Sequence, residues 1–267
     1  MSRISDIFAR CKEENRAALV IFVSCGFPDL ETSERAIDQA IESGADIIEL
    51  GIPFSDPTAD GPVICAASQV ALAKGVTLTQ ILEMTARIRK RHPRTGLVCF
   101  SYMNVMFHYG LDAFCARLRE IGVDGILAVD LPLEEREEMR KPCAENGLDL
   151  IPLVSPATSP EREKAITAGA SGFVYYVSVR GTTGVRTELP EELGARLAEL
   201  RRISPVPVVV GFGISNGPMA RRVAQTADGV VVGSAFVKAF QQTTSVDEKL
   251  TSARRLVQEL SENCSLN

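Results

Sequence analysis

The chain has 267 residues, 45% of them hydrophobic and 24% charged, with a net charge of −5. This is enough apolar material for a sizeable core, which excludes disordered and collagen-like classes, and the length suits one α/β barrel of about 250 residues or two smaller domains. The acidic balance excludes nucleic acid as the main partner, because polyanion binding needs a face of phosphate-neutralising cations.

In chain order, short apolar runs rich in Val and Ile recur at 19–24, 47–51, 97–102, 125–129, 148–154, 172–177, 206–211 and 229–233. Their near-continuous hydrophobicity is what strands covered on both faces require, so the sheet should be parallel and enclosed by helices. Amphipathic stretches at 33–43, 78–90, 111–121, 133–146, 161–168 and 190–202 lie between them, with Gly44, Gly122, Gly147 and Gly169 as stop signals. The phrases "ESGADIIEL", "EIGVDGILAV", "ENGLDLIPL" and "TAGASGFVYY" resemble one another and mark helix-to-strand corners. No Pro-, Gly- or Ser-rich linker divides the chain. The reading is a (β/α)8 TIM barrel filling residues 1–267 as a single domain, with an extra N-terminal helix and a short phosphate-site helix after the eighth strand. An open doubly wound sheet is the alternative.

Seven scattered cysteines without a CxxC pair indicate neither a disulfide framework nor a zinc site. The apolar stretch 17–27 is too short to span a bilayer, and acidic residues precede it, so no membrane association and a reduced, cytoplasmic setting are expected. The basic run from Arg87 to Arg94 reads as a solvated helix end.

In a barrel, chemistry belongs to the loops after the strands. The second such loop lies in "IIELGIPFSDPTADGPVI", residues 47–64. Glu49 is an acid inside an apolar strand, to be explained either by a buried salt bridge or by acid/base work with a raised pKa. Asp56 and Asp60 follow among three prolines, where Asp is also an ordinary turn residue. After strands seven and eight come "VVVGFGIS" and "GVVVGSAF", small-residue exits followed by a short helix near Ser234, the usual place for a phosphate in this fold. "GFGISNG" departs from the dinucleotide fingerprint, and bound NAD is not expected. The stretch 177–190, with Gly181 and Gly184 around two threonines, reads as a lid or a plain surface loop. Only His92 and His108 exist, leaving no material for a histidine metal site or a Ser-His-Asp triad.

At this point the residues carry a resemblance: "IELGIPFSDPTADGP" is similar to the signature of the tryptophan synthase alpha subunit family. "FVSCGFPD", "SYMNVMFHYG", "AVDLPLEE", "PLVSPATSPER", "YYVSVRGTTG", "GFGIS" and "VGSAF" extend it over nearly the whole chain. The resemblance implies a lyase that cleaves indole-3-glycerol phosphate to indole and glyceraldehyde 3-phosphate by a retro-aldol reaction. It implies Glu49, Asp60 and Tyr175 as catalytic groups, and Phe22, Ile64, Tyr102 and Phe212 around the indole. Gly184, Gly213, Gly233 and Ser234 would hold the phosphate, and Thr183 would meet Asp60 under a closed lid. It further implies no cofactor in this chain, and a pyridoxal-phosphate beta subunit as partner in an αββα complex, reached through Pro53 and Asp56. A subunit serving mainly to bind and activate that partner is the second reading. Cys65 stands where the family commonly has Gln, and "SCGFPD" replaces a "TAGDP" type of phrase; Cys65 is read as a small core residue or a reactive thiol near the pocket.

Overall fold

A computed structural model describes residues 2–177, 193–211, 213–241 and 245–266. The Val/Ile runs form strands β1 (Ala18–Ser24), β2 (Ile47–Gly51), β3 (Gly96–Ser101), β4 (Gly125–Ala128), β5 (Asp149–Leu150), β6 (Leu153–Val154), β7 (Val174–Val177), β8 (Val208–Gly211) and β9 (Gly229–Val232). The helices are α1 (Arg3–Glu13), α2 (Leu30–Glu42), α3 (Pro62–Ala73), α4 (Leu78–Arg91), α5 (Met103–Tyr109), α6 (Leu111–Glu120), α7 (Arg136–Asn146), α8 (Pro160–Ala168), α9 (Leu193–Ile203), α10 (Gly217–Ala224), α11 (Ser234–Ala239) and α12 (Val246–Cys264).

All pairings are parallel, in the order β5-β4-β3-β2-β1-β9-β8-β7-β6. The two ends of that order are halves of one strand. Ile151 N–H donates to the Ile126 carbonyl and the Pro152 carbonyl accepts from Tyr175 N–H, each at 2.9 Å, so the ring closes through residues 149–154. The run expected as one strand over 148–154 is interrupted because Pro152 has no N–H to give to a ladder. The result is the expected (β/α)8 barrel.

Alternation along the strands sorts the side chains. Val20 and Phe22, Ile47, Val98 and Phe100, Leu127, Phe173 and Tyr175, Val209 and Val231 share an inner cluster, while their neighbours pack outward under the helices. At the N-terminal ends of the strands, α1 stops the barrel with Ile4, Ile7 and Phe8; the Phe8 and Phe173 rings lie 5.9 Å apart. The predicted N-terminal helix is therefore part of the core.

The recurring corner phrases have a structural cause. Asp46, Asp124 and Asp228, each just before a strand, accept from the backbone N–H of Leu19, Leu97 and Val208 at 2.9, 2.8 and 2.9 Å; Ser171 does the same for Leu150 at 2.9 Å. Each hook satisfies a donor in the first two residues of a neighbouring strand and helps set its register. Arg16 bonds Asp46 at 2.6 and 2.8 Å, and Arg89 bonds Asp124 at 2.8 Å, so the buried carboxylates are charge-compensated. Gly44, Gly122 and Gly147 turn the chain with φ of +110°, +80° and +66°, as their stop-signal role requires, whereas Gly169 does its work at −112°.

The basic run at the end of α4 is engaged with acids. Arg87 and Arg91 bond Glu34, Arg91 also bonds Asp38, and Arg89 points inward to Asp124. Helices α3 and α5 were not foreseen, α3 beginning at Pro62 inside the segment read as loop; α10, between the last two strands as a (β/α)8 barrel requires, is capped by Asn216, whose side chain accepts from Met219 N–H at 3.0 Å. All seven cysteines are free thiols. No single helix among the described residues is long and apolar enough to cross a membrane.

Candidate active site

Glu49 sits mid-strand in β2, in register with Phe22 of β1 and Val98 of β3, both of which face the barrel interior. Parallel in-register residues share a face, so its carboxyl points inward too. It is 0% exposed, and neither carboxyl oxygen has a hydrogen-bond partner among the described residues. Among the described residues no salt bridge of the kind expected is made. Burial alone pushes its pKa up to about 8, leaving the acid protonated at neutral pH.

Asp60 lies in the Pro-rich segment between β2 and α3. Its Oδ2 accepts from the Tyr102 hydroxyl at 3.0 Å, and that hydroxyl accepts from Ala59 N–H at 3.0 Å. Tyr102 is held from its other side by Phe54, stacked at 4.9 Å between ring centroids. Partial burial raises the pKa of Asp60 to about 6 while the Tyr102 bond pulls it down. Two carboxyls thus differ in environment: one is a neutral acid in a dry interior, the other an acceptor that is mostly ionised at pH 7.

Tyr175, on β7, is buried, and its hydroxyl is pushed well above its ordinary pKa first by burial and then by the nearby charges of Glu49 and Asp60. The backbone makes room for it: a Cβ on Gly211 would stand 2.0 Å from the Tyr175 hydroxyl oxygen. Gly51 does the same for Phe22, whose ring would meet a Cβ there at 2.3 Å. Phe22 in turn packs edge-on against Phe100 at 4.9 Å, and Ile64 from α3 joins the same inner cluster.

Gly213 and Gly233 lie at the exits of the adjacent strands β8 and β9, with Gly213 at φ +89° and Ser234 opening α11. A Cβ on Gly233 would touch Cβ of Phe22 at 3.4 Å, so this corner borders the aromatic cluster. Thr183, Gly184, Phe212 and the stretch 178–190 of the expected lid lie outside the described residues. Pro53 is buried, and Asp56 is exposed on the loop.

A cavity of about 520 Å³ opens beside Asp60, walled by Phe100, Val129, Ile151, Leu153 and Val177. Glu49 does not reach that wall. Phe100, Val129 and Leu153 were absent from the sequence reading, although their place at or near the C-terminal ends of strands could have flagged them. Cys65 is half-buried with its thiol directed at the backbone carbonyls of Asp60 (3.5 Å) and Pro57 (3.8 Å). Burial and the Asp60 charge raise its pKa. No cluster that could hold a metal ion occurs among the described residues.

One family profile matches nearly the whole of this chain. The profile described as "Tryptophan synthase alpha chain" matches residues 8–265. The chain belongs to the tryptophan synthase alpha chain family. The tryptophan synthase alpha chain of Geobacter sp. (strain M21) is 48% identical over 242 residues, covering 91% of this chain and 90% of that one. That of Aquifex aeolicus is 43% identical over 263 residues, covering 98% of each. Among solved structures, a chain of Mycobacterium tuberculosis tryptophan synthase superposes with a TM-score of 0.92 at 36% identity, covering 100% of this chain and 99% of that one. The tryptophan synthase subunit alpha of Legionella pneumophila str. Paris gives 0.91 at 34%, covering 99% and 98%.

Proposed function

We propose that this chain cleaves indole-3-glycerol phosphate to indole and glyceraldehyde 3-phosphate, the retro-aldol step of tryptophan biosynthesis. The observation that carries this reading is a pair of differently tuned acids, a buried Glu49 with no partner among the described residues and an Asp60 held by Tyr102, with Tyr175 near the charges of both. Cleavage needs a proton delivered to the ring carbon that bears the side chain, which makes the indole an electron sink. As the carbon–carbon bond breaks, the glycerol hydroxyl loses its proton. Glu49 gives the first proton and its carboxylate takes up the second, so the acid is regenerated each turnover. Asp60 accepts from the indole N–H and balances the positive charge that develops on the ring. Tyr175 supports the site from the opposite wall.

Phe22, Ile64, Tyr102 and Phe212 would shape the indole slot, together with Phe100, Val129 and Leu153. The phosphate would rest on Gly184, Gly213, Gly233 and Ser234, with Thr183 approaching Asp60. No cofactor is needed for this chemistry. The whole chain, 1–267, acts as one barrel domain in the cytoplasm.

A pyridoxal-phosphate beta subunit is the proposed partner, in an αββα complex reached through Pro53 and Asp56. The surface beside that loop supports docking: Phe54 borders a groove with Val105, His108 and Tyr109, and Phe107 and Tyr109 are 50% and 38% exposed.

The test is turnover of indole-3-glycerol phosphate, with and without a beta subunit. Glu49→Gln should lose a factor of roughly 10² to 10⁴, or about 2.7–5.5 kcal/mol of barrier. Full activity in that variant would remove Glu49 from the mechanism; stimulation of the beta reaction with no cleavage by the wild type would leave only the activator role.

A further inference from the structure

Helix α5 starts where β3 leaves the barrel, and Tyr102 stands at that junction as its cap residue, with φ −100° and ψ 146°. Its side chain makes no cap bond and reaches Asp60 instead. With seven residues, α5 is too short to hold its own start by helical bonds alone. The acceptor comes from another loop: Asp130 Oδ1 accepts from Met103 N–H, the first helical donor, at 2.8 Å. A carboxylate there also suits the positive end of the helix.

The barrel ladder brings Asp130 to that place. Ser101 and Ala128 are register partners, and Val129 N–H donates to the Ser101 carbonyl at 3.0 Å, so the residues two further on, Met103 and Asp130, come level. From the junction the contacts run on to the acid. Tyr102 is buried with its ring stacked on Phe54, and its hydroxyl accepts from Ala59 N–H and donates to Asp60. Stacking restrains the ring across its face but leaves it free to slide in its plane. The reach of the hydroxyl is therefore set at the Tyr102 Cα, which the bond between Asp130 and Met103 holds.

We propose that Asp130 is a positioning residue for the cleavage site: by fixing the first turn of α5 it sets the Tyr102 hydroxyl on Asp60. It acts through Tyr102, and its consequence for turnover rests on the reading of Asp60 as a catalytic carboxylate. Charge is the other route by which Asp130 could influence Asp60, since both line one cavity. The two routes have opposite signs. Removing a nearby negative charge lowers the pKa of a carboxyl, whereas losing the Tyr102 bond raises that of Asp60. Among the described residues the other titratable groups around Asp60 are Cys65 and Tyr175, with Arg136 and Arg162 on the cavity wall and Arg162 bound to Glu134; the variants below retain all of them.

The experiment is carbon-13 NMR titration of the substrate-free full chain labelled at its aspartate carboxyls, with Asp60→Asn identifying the signal. Asp130→Ala should raise the pKa of Asp60 by about one pH unit, as Tyr102→Phe does, and should add nothing in the Tyr102→Phe background. Asp130→Glu keeps the charge but carries the carboxylate one methylene farther, and should raise it by about half as much, which tests the proposal even if Asp130→Ala disturbs the fold. Asp130→Asn keeps an acceptor for Met103 N–H and should leave the titration in place. An Asp60 titration unmoved or lowered in both Asp130→Ala and Asp130→Glu would overturn the proposal. So would a rise in Asp130→Asn as large as in Asp130→Ala, or a rise that persists in the Tyr102→Phe background. Turnover is read separately: if Asp60 titrates higher in Asp130→Ala while the acidic limb of kcat/KM stays put, Asp130 keeps its role and Asp60 leaves the catalytic scheme.

Discussion

Replacing Glu49 with Gln should make the protein more stable at alkaline pH while it slows cleavage by a factor of roughly 10² to 10⁴. The carboxyl is fully buried with no partner among the described residues, and its pKa stands near 8 against an ordinary 4.5. Between those two values the folded chain binds a proton that the unfolded chain has released, so stability falls as pH rises. With about 1.4 kcal/mol per pKa unit, the loss approaches about 5 kcal/mol once the pH passes 8, and about 3 kcal/mol is already lost at pH 7. Gln keeps the shape and cannot ionise, so its stability lacks this term. Urea unfolding of both proteins at pH 5, 6, 7, 8 and 9, followed by circular dichroism, gives the difference directly. The variant should gain on the wild type by about 1.4 kcal/mol for each pH unit from 5 to 8 and then hold level. Parallel stability curves for the two proteins would refute the claim that burial keeps this acid neutral.

Three further variants probe the supporting geometry. Tyr102→Phe removes the hydrogen bond that favours ionised Asp60 while leaving its burial, so the pKa of Asp60 should rise above about 6. The acidic limb of the kcat/KM profile should then move to higher pH; an unmoved limb would detach Asp60 from catalysis. Gly211→Ala places a methyl group 2.0 Å from the Tyr175 hydroxyl oxygen, which must displace the ring. Turnover should fall more than tenfold and stability by about 1–3 kcal/mol, both checked on the purified variant. Asp46→Asn weakens the bonds to Arg16 and Arg10 and the hook on Leu19 N–H, and should lower unfolding free energy by about 3 kcal/mol without moving KM.

The sequence by itself determined the series of eight strands, the corners between helix and strand, and the loops where chemistry would lie. Those features are written locally: a strand covered on both faces must be apolar along its length, and a chain reversal needs Gly or a capping side chain wherever it occurs. The second-loop signature and the small-residue exits of β8 and β9 were legible for the same reason. What only the tertiary structure decided was which neighbours each group meets. Whether Glu49 was paired or alone depended on what β1, β3 and β7 bring to the interior, and no residue near it in sequence could tell. Tyr102 reaches Asp60 from 42 positions away, and Arg89 finds Asp124 from 35. The role of the corner aspartates shows only where the adjacent strand supplies the N–H that each accepts. Pro152 was visible in the fifth apolar run, but its missing N–H splits the strand only because ladders form on both sides of it. Burial and charge pairing are properties of the assembled barrel, and they set the pKa values on which the proposed chemistry rests.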